Sequence, residues 1–568
     1  MIAGRAGERT IILTTLCLGA VHSWVGRYAM NPDGVSYLDV GDSFFRRDWA
    51  NAVNAWWSPL YPWTLGIVLG VVRPSPRWEF PLVQLVNFGY FIFALFAFRF
   101  LLHASLAWMR ERASGHDISE RLPESLVILL AYAIFLWIVL ELVTVYDVSP
   151  DLAVLAIYCL AMGILLRLPH SLKMRDFTVF GLVLGLGYWA KTIMFPLGIA
   201  TLVVSYLWKR SLSGWGRGML LSTLLFSCSC APLVFLLSHQ KGRFTFGDSG
   251  KLNYAWYVSP RTFWRNWQGD TPGSGKPVHS TRQLLDHPPL FEFDGPVVGT
   301  YPPWTDPSYW NEGLQWHFKP KPQLEVLSAN IPSEMRILLR ARSELVTCVV
   351  VLALFSGQVW LNKLVELWPL VILSVVGMGL YLPLVENDRY LGGYVLVLFL
   401  AMLVATRIRP EFQTSASRVV VVVFVVMMIS AMDYTVRTVT NHLAIPGSGP
   451  NSTWQDVMAA EELRRMGLNA GEKVAIIGDG TGAYWARLGK LRIVAEIMDA
   501  NHGSRQFWTG SEELQQRVYQ TLGRTQAKVV ISKCQSWPSP SLPGWARIAD
   551  TPYCFHDLDQ RQSPREEL

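Results

Sequence analysis

The sequence has 568 residues, of which 51% are hydrophobic and only 16% are charged. Soluble proteins carry about 25% charged residues, and here the deficit accompanies many long apolar runs, so the composition excludes a soluble globular protein and predicts an α-helical polytopic membrane protein. The formal net charge of +7 does not indicate nucleic-acid binding, because the basic residues lie mostly in short loops between the apolar runs.

The apolar runs predict about eleven transmembrane helices. The first, at about 10–27, follows Arg5 and Arg9 and has no small-residue cleavage site, so we expect an uncleaved membrane helix. Residues 60–72 are apolar but too short to span a bilayer, and we expect a half-embedded or surface helix there. The other spans are expected at about 81–103, 125–145, 151–166, 177–190, 192–208, 218–237, 344–360, 367–384, 391–406 and 418–434.

Basic residues are unequally distributed between the two sets of predicted loops. If the N-terminus is cytoplasmic, the loops near residues 112, 170, 213 and 412 are rich in Arg and Lys. The short loops on the other side contain only Lys191 and Arg389. This positive-inside pattern predicts a multi-pass protein of the inner or plasma membrane, with the C-terminal region outside the cytoplasm. The outer segments are then 28–80, 238–343 and 435–568.

Ionisable residues collect at the outer ends of the predicted helices. They are Asp33, Asp39, Asp42, Asp147, Asp151, Lys191, Glu386, Asp388 and Arg389. One such charge is usually a helix cap or a snorkelling side chain, but so many on one side indicate a functional site. A turn or cap role is the alternative for Asp33, which follows Asn31-Pro32, and an N-cap role is the alternative for Asp151.

The long outer loop, 238–343, is rich in Trp, Tyr, Pro and Gly and has little helical periodicity. A plain connector does not need this length, and the aromatic content argues against disorder. We favour a lid and acceptor cleft with aromatic walls over the alternative, an interfacial aromatic belt.

The C-terminal segment changes character. A helical pattern over 455–466 and apolar runs that begin at Lys473, Arg492 and Lys528 predict a small α/β domain over 450–568, after a transmembrane domain over 1–435. Cys534 and Cys554 could form a disulfide if this segment lies outside the cytoplasm. The glycine-rich run 478–482 follows a strand but lacks the Lys-Ser/Thr ending of a P-loop, so we do not predict a nucleotide site.

An outer carboxylate suits one reaction class in particular. Nucleotide sugars and ATP are scarce outside the cytoplasm, so an activated sugar donor must arrive through the membrane, as a polyprenyl-phosphate sugar does. The acceptor hydroxyl then needs a general base, which a carboxylate can supply. The departing phosphate needs a cation, a metal or backbone donors.

Several short motifs resemble those of the GT-C membrane glycosyltransferases, in particular the branch of the protein mannosyltransferases and the lipid A aminoarabinose transferase. The first-loop motif is Asp33-x-x-x-Tyr37, then Asp48-Trp49, then Trp57-Ser-Pro-Leu-Tyr61-Pro. Ser149-Pro150-Asp151, a glycine-rich run that ends at Lys191, and Glu386-Asn-Asp-Arg389-Tyr390 are similar to later motifs. The resemblance spans about residues 9–435.

The resemblance implies a role for each matched residue. Asp33 and Asp151 are the expected catalytic acids, with Asp33 as the base, and Arg389 and Lys191 are the expected partners of the donor phosphate. The expected substrate-binding residues are Tyr37, Trp57, Tyr61 and Glu386, and a divalent metal near Asp42 or Asp147 is left open. The partners implied are a polyprenyl-phosphate sugar, a lipid, glycan or protein acceptor and membrane lipids, without nucleic acid.

The first loop departs from the family pattern at two places. Gly34 follows Asp33 where the family has a second acid, and either Asp39 or Asp42 stands in for that acid or the role is lost. Trp57 and Ser58 replace a lysine and the first of two prolines. Two alternatives therefore stay open: a transporter or flippase of a lipid-linked glycan, and a catalytically inactive glycan-binding scaffold. The transporter is disfavoured, since the sequence shows no internal repeat and its charges lie at the outer edge.

Overall fold

A computed structural model describes residues 5–111, 121–262, 266–269, 277–339, 342–385, 387–443, 453–499, 502–534 and 543–558. The chain divides into two compact units. We call residues 1–25, 84–260 and 317–441 the helical unit, and residues 26–83, 261–316 and 442–568 the sheet unit.

The helices of the helical unit follow the apolar runs of the sequence. They are α1 (Arg5–Val25), α5 (Pro76–Glu111, which begins in the sheet unit), α6 (Glu124–Trp137), α7 (Asp151–Ser171), α8 (Met174–Ala190), α9 (Met194–Lys209), α10 (Trp215–Lys241), α11 (Ser249–Tyr257), α14 (Pro320–Leu339), α15 (Ser343–Ser356), α16 (Gln358–Glu366), α17 (Trp368–Gly379), α18 (Asp388–Val404) and α19 (Gln413–Leu443). A π-helical turn, Ile138–Leu142, extends α6.

A helix occupies each predicted span, which confirms the polytopic α-helical class. By length and composition, five helices of the described chain are long and apolar enough to cross a membrane. These are Pro76–Arg110, Glu124–Leu142, Asp151–Ser171, Trp215–Lys241 and Pro410–Asn441. The count of about eleven crossings stays a prediction.

The span predicted at 344–360 is not one straight helix. The structure divides it into α15 and α16, which meet at an angle of 109°. Gly357 lies between them with φ of 61°, a left-handed conformation that residues with a Cβ atom rarely adopt. The hydropathy of this run predicted a membrane segment, but hydropathy carries no signal for a change of chain direction.

The sheet unit combines one sheet with short helices. Its helices are α2 (Pro32–Phe45), α3 (Trp49–Ala52), α4 (Leu60–Val72), α12 (Pro302–Thr305), α13 (Pro307–Trp310), α20 (Trp454–Arg465), α21 (Tyr484–Gly489), α22 (Gly503–Trp508) and α23 (Glu512–Gly523). Its strands are β1 (Arg282–Asp286), β2 (Pro289–Glu292), β3 (Lys473–Ile477), β4 (Arg492–Ile497), β5 (Val529–Lys533), β6 (Trp545–Arg547) and β7 (Tyr553–Asp557). Helix α4 matches the predicted short helix at 60–72.

The seven strands follow the order β1-β2-β4-β3-β5-β7-β6. The central strands β4, β3 and β5 are parallel, and the outer strands pair antiparallel. Successive residues of β3 face opposite sides: Ile476 packs with α20 residues such as Leu463, and Ile477 packs with α23 residues such as Leu522. The predicted α/β fold of the C-terminal segment is therefore confirmed.

Two strands come from outside that segment. β1 and β2 lie in the long loop, and β2 pairs with β4 with Leu290 opposite Ile497. The loop was predicted to be a lid and acceptor cleft, and its contribution to the sheet was not anticipated. Val474 to Ile477 could be recognised as a strand from their continuous apolar run, whereas β1 and β2 are short and are separated by prolines.

Two local features of the sheet unit explain residues singled out in the sequence. Cys534 and Cys554 form the disulfide that the sequence left open, with their Cα atoms 5.4 Å apart. Gly480 opens a 3₁₀ turn, Gly480–Gly482, after β3. A Cβ atom at Gly480 would lie 2.4 Å from the Tyr301 ring, so close packing of the long loop explains this glycine.

Candidate active site

Four predicted site residues form one ion-pair cluster in the helical unit. Lys191 Nζ lies 2.6 Å from Asp151 Oδ1, and Arg389 Nη1 lies 2.6 Å from Asp147 Oδ2. Arg389 Nε is 3.4 Å from Asp151 Oδ2, which joins the two pairs. The Asp151 side chain is buried, and the other three are 16–24% exposed. Two carboxylates and two cations make the cluster neutral overall.

The ends of three helices position these side chains. Asp151 is the first residue of α7, Lys191 follows the last residue of α8, and Arg389 lies in the first turn of α18. Asn387 caps α18, since its side chain accepts a hydrogen bond from the Arg389 N–H. Asp151 was alternatively read as an N-cap, but Pro150 holds that position and the Asp151 carboxylate accepts from Lys191 instead.

Polar side chains of α5 fix the loop that carries Asp147. Gln84 Nε2 donates to the Tyr146 carbonyl at 3.0 Å, and Asn87 Nδ2 donates to the Asp147 carbonyl at 3.1 Å. Both side chains are almost fully buried. The Asp147 backbone is therefore held from the interior, while its side chain reaches Arg389.

Two tyrosines complete the surroundings of Lys191. Its Nζ lies 3.7 Å from the centroid of the Tyr390 ring and 5.8 Å from that of Tyr381. The two rings stack on each other with centroids 4.9 Å apart. An ammonium over an aromatic face is stabilised by the ring quadrupole, so Lys191 is oriented by both Asp151 and Tyr390. Tyr381 was not singled out in the sequence.

Asp33 belongs to the sheet unit, in the first turn of α2. The cap of this helix is Asn31, whose side-chain oxygen accepts the Gly34 N–H at 2.7 Å. The structure therefore assigns the cap role to Asn31, and Asp33 is half-buried in the first turn. A carboxylate in the first turn of a helix also lies near the positive end of the helix dipole.

The three predicted aromatic contacts of the first loop are packed together. The Tyr37 ring centroid lies 4.9 Å from that of Trp57 and 5.2 Å from that of Tyr61. All three residues are buried, and Trp57 Nε1 donates to the Trp304 carbonyl at 3.3 Å. Trp56 and Trp304, by contrast, are half-buried, with centroids 6.0 Å apart. Trp56 and Trp304 thus offer accessible ring surface, whereas the three predicted residues support the wall behind it.

Asp42, the candidate second acid, forms an ion pair with a buried arginine. Arg487 Nη1 lies 2.7 Å from Asp42 Oδ2 and 2.9 Å from Asp39 Oδ1, and its Nε lies 2.7 Å from Glu79 Oε1. Arg487 and Lys490 hold the pKa of Asp42 below its usual range against the effect of burial. Burial raises the pKa of Asp39 by removing water from its carboxylate, and the nearby negative charge of Asp42 adds to this effect.

These pairings do not fit the suggested metal roles. Asp42 and Asp147 each contact an arginine, whose positive charge opposes a cation at the same carboxylate. Within the described part of the chain, no group of three or more His, Cys, Asp and Glu side chains could hold a metal ion. Glu386, an expected substrate contact, lies outside the described residues.

Sequence reasoning missed Glu79, Arg487 and Lys490. Glu79 stands at the start of an apolar run, which is a recognisable signal of a buried or paired charge. Arg487 interrupts an otherwise apolar segment, 483–489, and could have been noticed for the same reason. Their partners could not be named, because the residues that meet are several hundred positions apart.

The sequence matches no protein-family model and no curated protein. Its fold is similar to that of ArnT from Cupriavidus metallidurans. The apo structure of ArnT gives a TM-score of 0.51 at 10% identity, with 96% of this chain and 97% of that chain covered. The structure of ArnT bound to undecaprenyl phosphate gives a TM-score of 0.51 at 11% identity, with 97% and 99% covered. The chain therefore has a GT-C-like fold, as its short motifs suggested.

Proposed function

We propose that this protein is a membrane glycosyltransferase that moves one sugar from a polyprenyl-phosphate donor to a lipid, glycan or protein acceptor on the outer face of the membrane. The observation that carries the proposal is the cluster of Lys191 and Arg389 with Asp147 and Asp151. Paired cations of this kind suit a phosphate that gains charge as the sugar leaves. The GT-C-like fold and the order of the sequence motifs support the same reaction.

Asp33 is the proposed general base. It would accept the proton of the acceptor hydroxyl as that oxygen attacks the anomeric carbon and the bond to the phosphate breaks. The capping alternative for Asp33 does not apply, because Asn31 is the cap of α2. Trp56 and Trp304 are the proposed sugar-stacking rings, in addition to the wall formed by Tyr37, Trp57 and Tyr61.

An apolar groove supports a lipid-linked donor. It has a volume of about 680 Å³ and lies in the helical unit between α9 and α10. Phe195, Phe226 and Phe244 are among its lining residues. Phe195 is only four positions after Lys191, so an isoprenoid chain in this groove would begin near a cation that can meet its phosphate.

The proposed location is the outer side of the inner or plasma membrane, with the N-terminus in the cytoplasm. The sheet unit is built from three segments, which fall almost entirely within the three stretches that the charge pattern assigns to the outer side. Their assembly into one compact unit supports a common side. The disulfide between Cys534 and Cys554 is typical of an oxidising compartment.

The test is transfer of radiolabel from undecaprenyl-phosphate hexoses and pentoses to endogenous acceptors in membranes that contain the full chain. Asp33→Asn keeps the size of the side chain and removes the base, and we expect transfer to fall about 10²–10⁴-fold. Asp550→Asn, at an exposed position of the same unit and outside the family motifs, is the control and should retain most activity. Wild-type transfer by Asp33→Asn at equal protein levels would contradict the role of Asp33 as the base, and equal transfer by membranes that lack the protein would favour the scaffold or the transporter.

A further inference from the structure

We propose that Arg487 of the sheet unit is a positioning residue, which fixes helix α2 and thereby holds Asp33 in place for the reaction. The inference rests on the proposed function, in which Asp33 is the base. It gives the C-terminal α/β region a part in catalysis, although that region carries none of the sequence motifs of the site.

The contacts of Arg487 converge on the helix that carries Asp33. Its guanidinium binds Asp39 and Asp42, both on α2, at 2.9 and 2.7 Å. It also binds Glu79, in the first turn of α5, at 2.7 Å. The Arg487 side chain is 2% exposed, so its ion pairs with these carboxylates are shielded from solvent. A planar guanidinium binds several carboxylates through donors held in a fixed fork, whereas an ammonium is a point charge with three rotatable donors.

The long loop completes the fixation of α2. The Thr300 N–H and hydroxyl donate to the two oxygens of Asp39 at 2.8 and 2.9 Å. Nearer the start of the helix, the Ser36 hydroxyl donates to the Trp304 carbonyl at 2.8 Å. Arg487 and this loop therefore contact α2 at three positions, Ser36, Asp39 and Asp42. A rigid helix transmits that restraint to Asp33, roughly 9 Å from Asp39 at about 1.5 Å per residue.

Helix α21 also interacts electrostatically with Asp33. Tyr484 is one turn before Arg487 on the same short helix. Burial, together with the negative charges of Asp456, Asp33 and Asp479, raises the pKa of Tyr484. The Asp33 carboxylate therefore lies within electrostatic range of the first residue of α21. The helix that supplies Arg487 therefore interacts electrostatically with the proposed base and also anchors the helix that carries it.

The test compares Arg487→Lys with Arg492→Lys in the full-length protein. Arg492 is an arginine of the same sheet unit, on β4, and its ion-pair partner is Asp294, which is not on α2. Both changes keep the charge and remove the planar fork. We expect Arg487→Lys to lower kcat about 10–100-fold, since a displacement near 1 Å can cost that much, with the donor KM within about twofold of wild type. Arg492→Lys should leave both constants unchanged.

Two results would overturn the inference. One is a wild-type kcat for Arg487→Lys, and the other is a loss of rate that only follows the loss of folded protein in a melting assay. If Arg487→Lys does not fold, Asp42→Asn removes one of the three carboxylates, and a selective decrease in kcat is again expected. Asp33→Asn separates the two proposals: an inactive Asp33→Asn with a fully active Arg487→Lys overturns only the positioning role, whereas an active Asp33→Asn overturns both.

Discussion

The stability of the sheet unit should depend on pH through one buried acid, Asp456. Its Oδ1 atom accepts hydrogen bonds from the Tyr553 hydroxyl at 2.8 Å and from the Trp485 N–H at 3.2 Å. Burial is the dominant cause that raises the pKa of Asp456 from 3.8 to about 6. Because the folded state holds this proton more tightly than the unfolded chain, the free energy of unfolding should fall as pH rises from about 4 to about 6 and then level off.

The size of this effect follows from the difference between the two pKa values. A rise from 3.8 to about 6, at about 1.4 kcal/mol per pKa unit, gives about 3 kcal/mol. For a unit of this size, 1 kcal/mol corresponds to roughly 2–4 °C in Tm, so about 6–12 °C is expected. Asp456→Asn imitates the protonated acid, because its remaining oxygen can accept both hydrogen bonds. The variant should melt close to wild type at pH 4 and higher than wild type at pH 8.

The assay is thermal unfolding of the purified full-length protein in detergent between pH 4 and pH 8. Subtraction of the Asp456→Asn curve from the wild-type curve removes the contribution of every other titrating group. Asp550→Asn, at an exposed position of the same unit, is the control and should follow wild type at every pH. A Tm difference between wild type and Asp456→Asn that stays constant from pH 4 to pH 8 would refute the reasoning.

Three further predictions concern other sites. Cys554→Ser removes a disulfide with a sequence separation of 20, and we expect the free energy of unfolding to fall by about 3 kcal/mol. The Tm should be lower than that of wild type, and reducing agent should lower the Tm of wild type but not that of the variant. Gly480→Ala should cost about 1–3 kcal/mol through overlap with the Tyr301 ring, and the same change should lower Tm less when Tyr301 is already replaced by Leu. Asp147→Asn should lower the donor KM severalfold without abolishing turnover, since the cluster gains a net positive charge. The KM is measured by steady-state transfer kinetics, and an unchanged or higher value would contradict this prediction.

Local patterns were sufficient for most of the fold. Long apolar runs predicted the membrane helices, and continuous apolar segments predicted β3, β4 and β5 in the C-terminal region. The strands β1 and β2 were missed because β2 joins the sheet by pairing with β4, a contact across some 200 residues that leaves little trace in the local sequence, and β1 pairs only with β2. The bend at Gly357 was missed because hydropathy reports burial in lipid and not backbone direction.

The candidate site was predictable only in part, for a related physical reason. Asp33, Asp151, Lys191 and Arg389 stand at helix ends, where an unneutralised charge is conspicuous in an apolar sequence. The partner of each charge is chosen by the tertiary fold. Asp42 was considered as a replacement acid, yet its carboxylate meets Arg487, 445 positions away. No pattern within the first loop could have shown that this acid is already paired.

The neutrality of the cluster in the helical unit bears directly on how a donor would bind. Charges at the end of an apolar helix are costly unless they are paired, so Asp147 and Asp151 stabilise Lys191 and Arg389 before any phosphate arrives. The same carboxylates must then compete with that phosphate for the two cations. Asp151 is buried and contacts both cations, whereas Asp147 is 24% exposed and contacts Arg389 alone among them. Water can solvate Asp147 once it is displaced, so the donor phosphate would replace Asp147 on Arg389 and leave the pair of Asp151 and Lys191 intact.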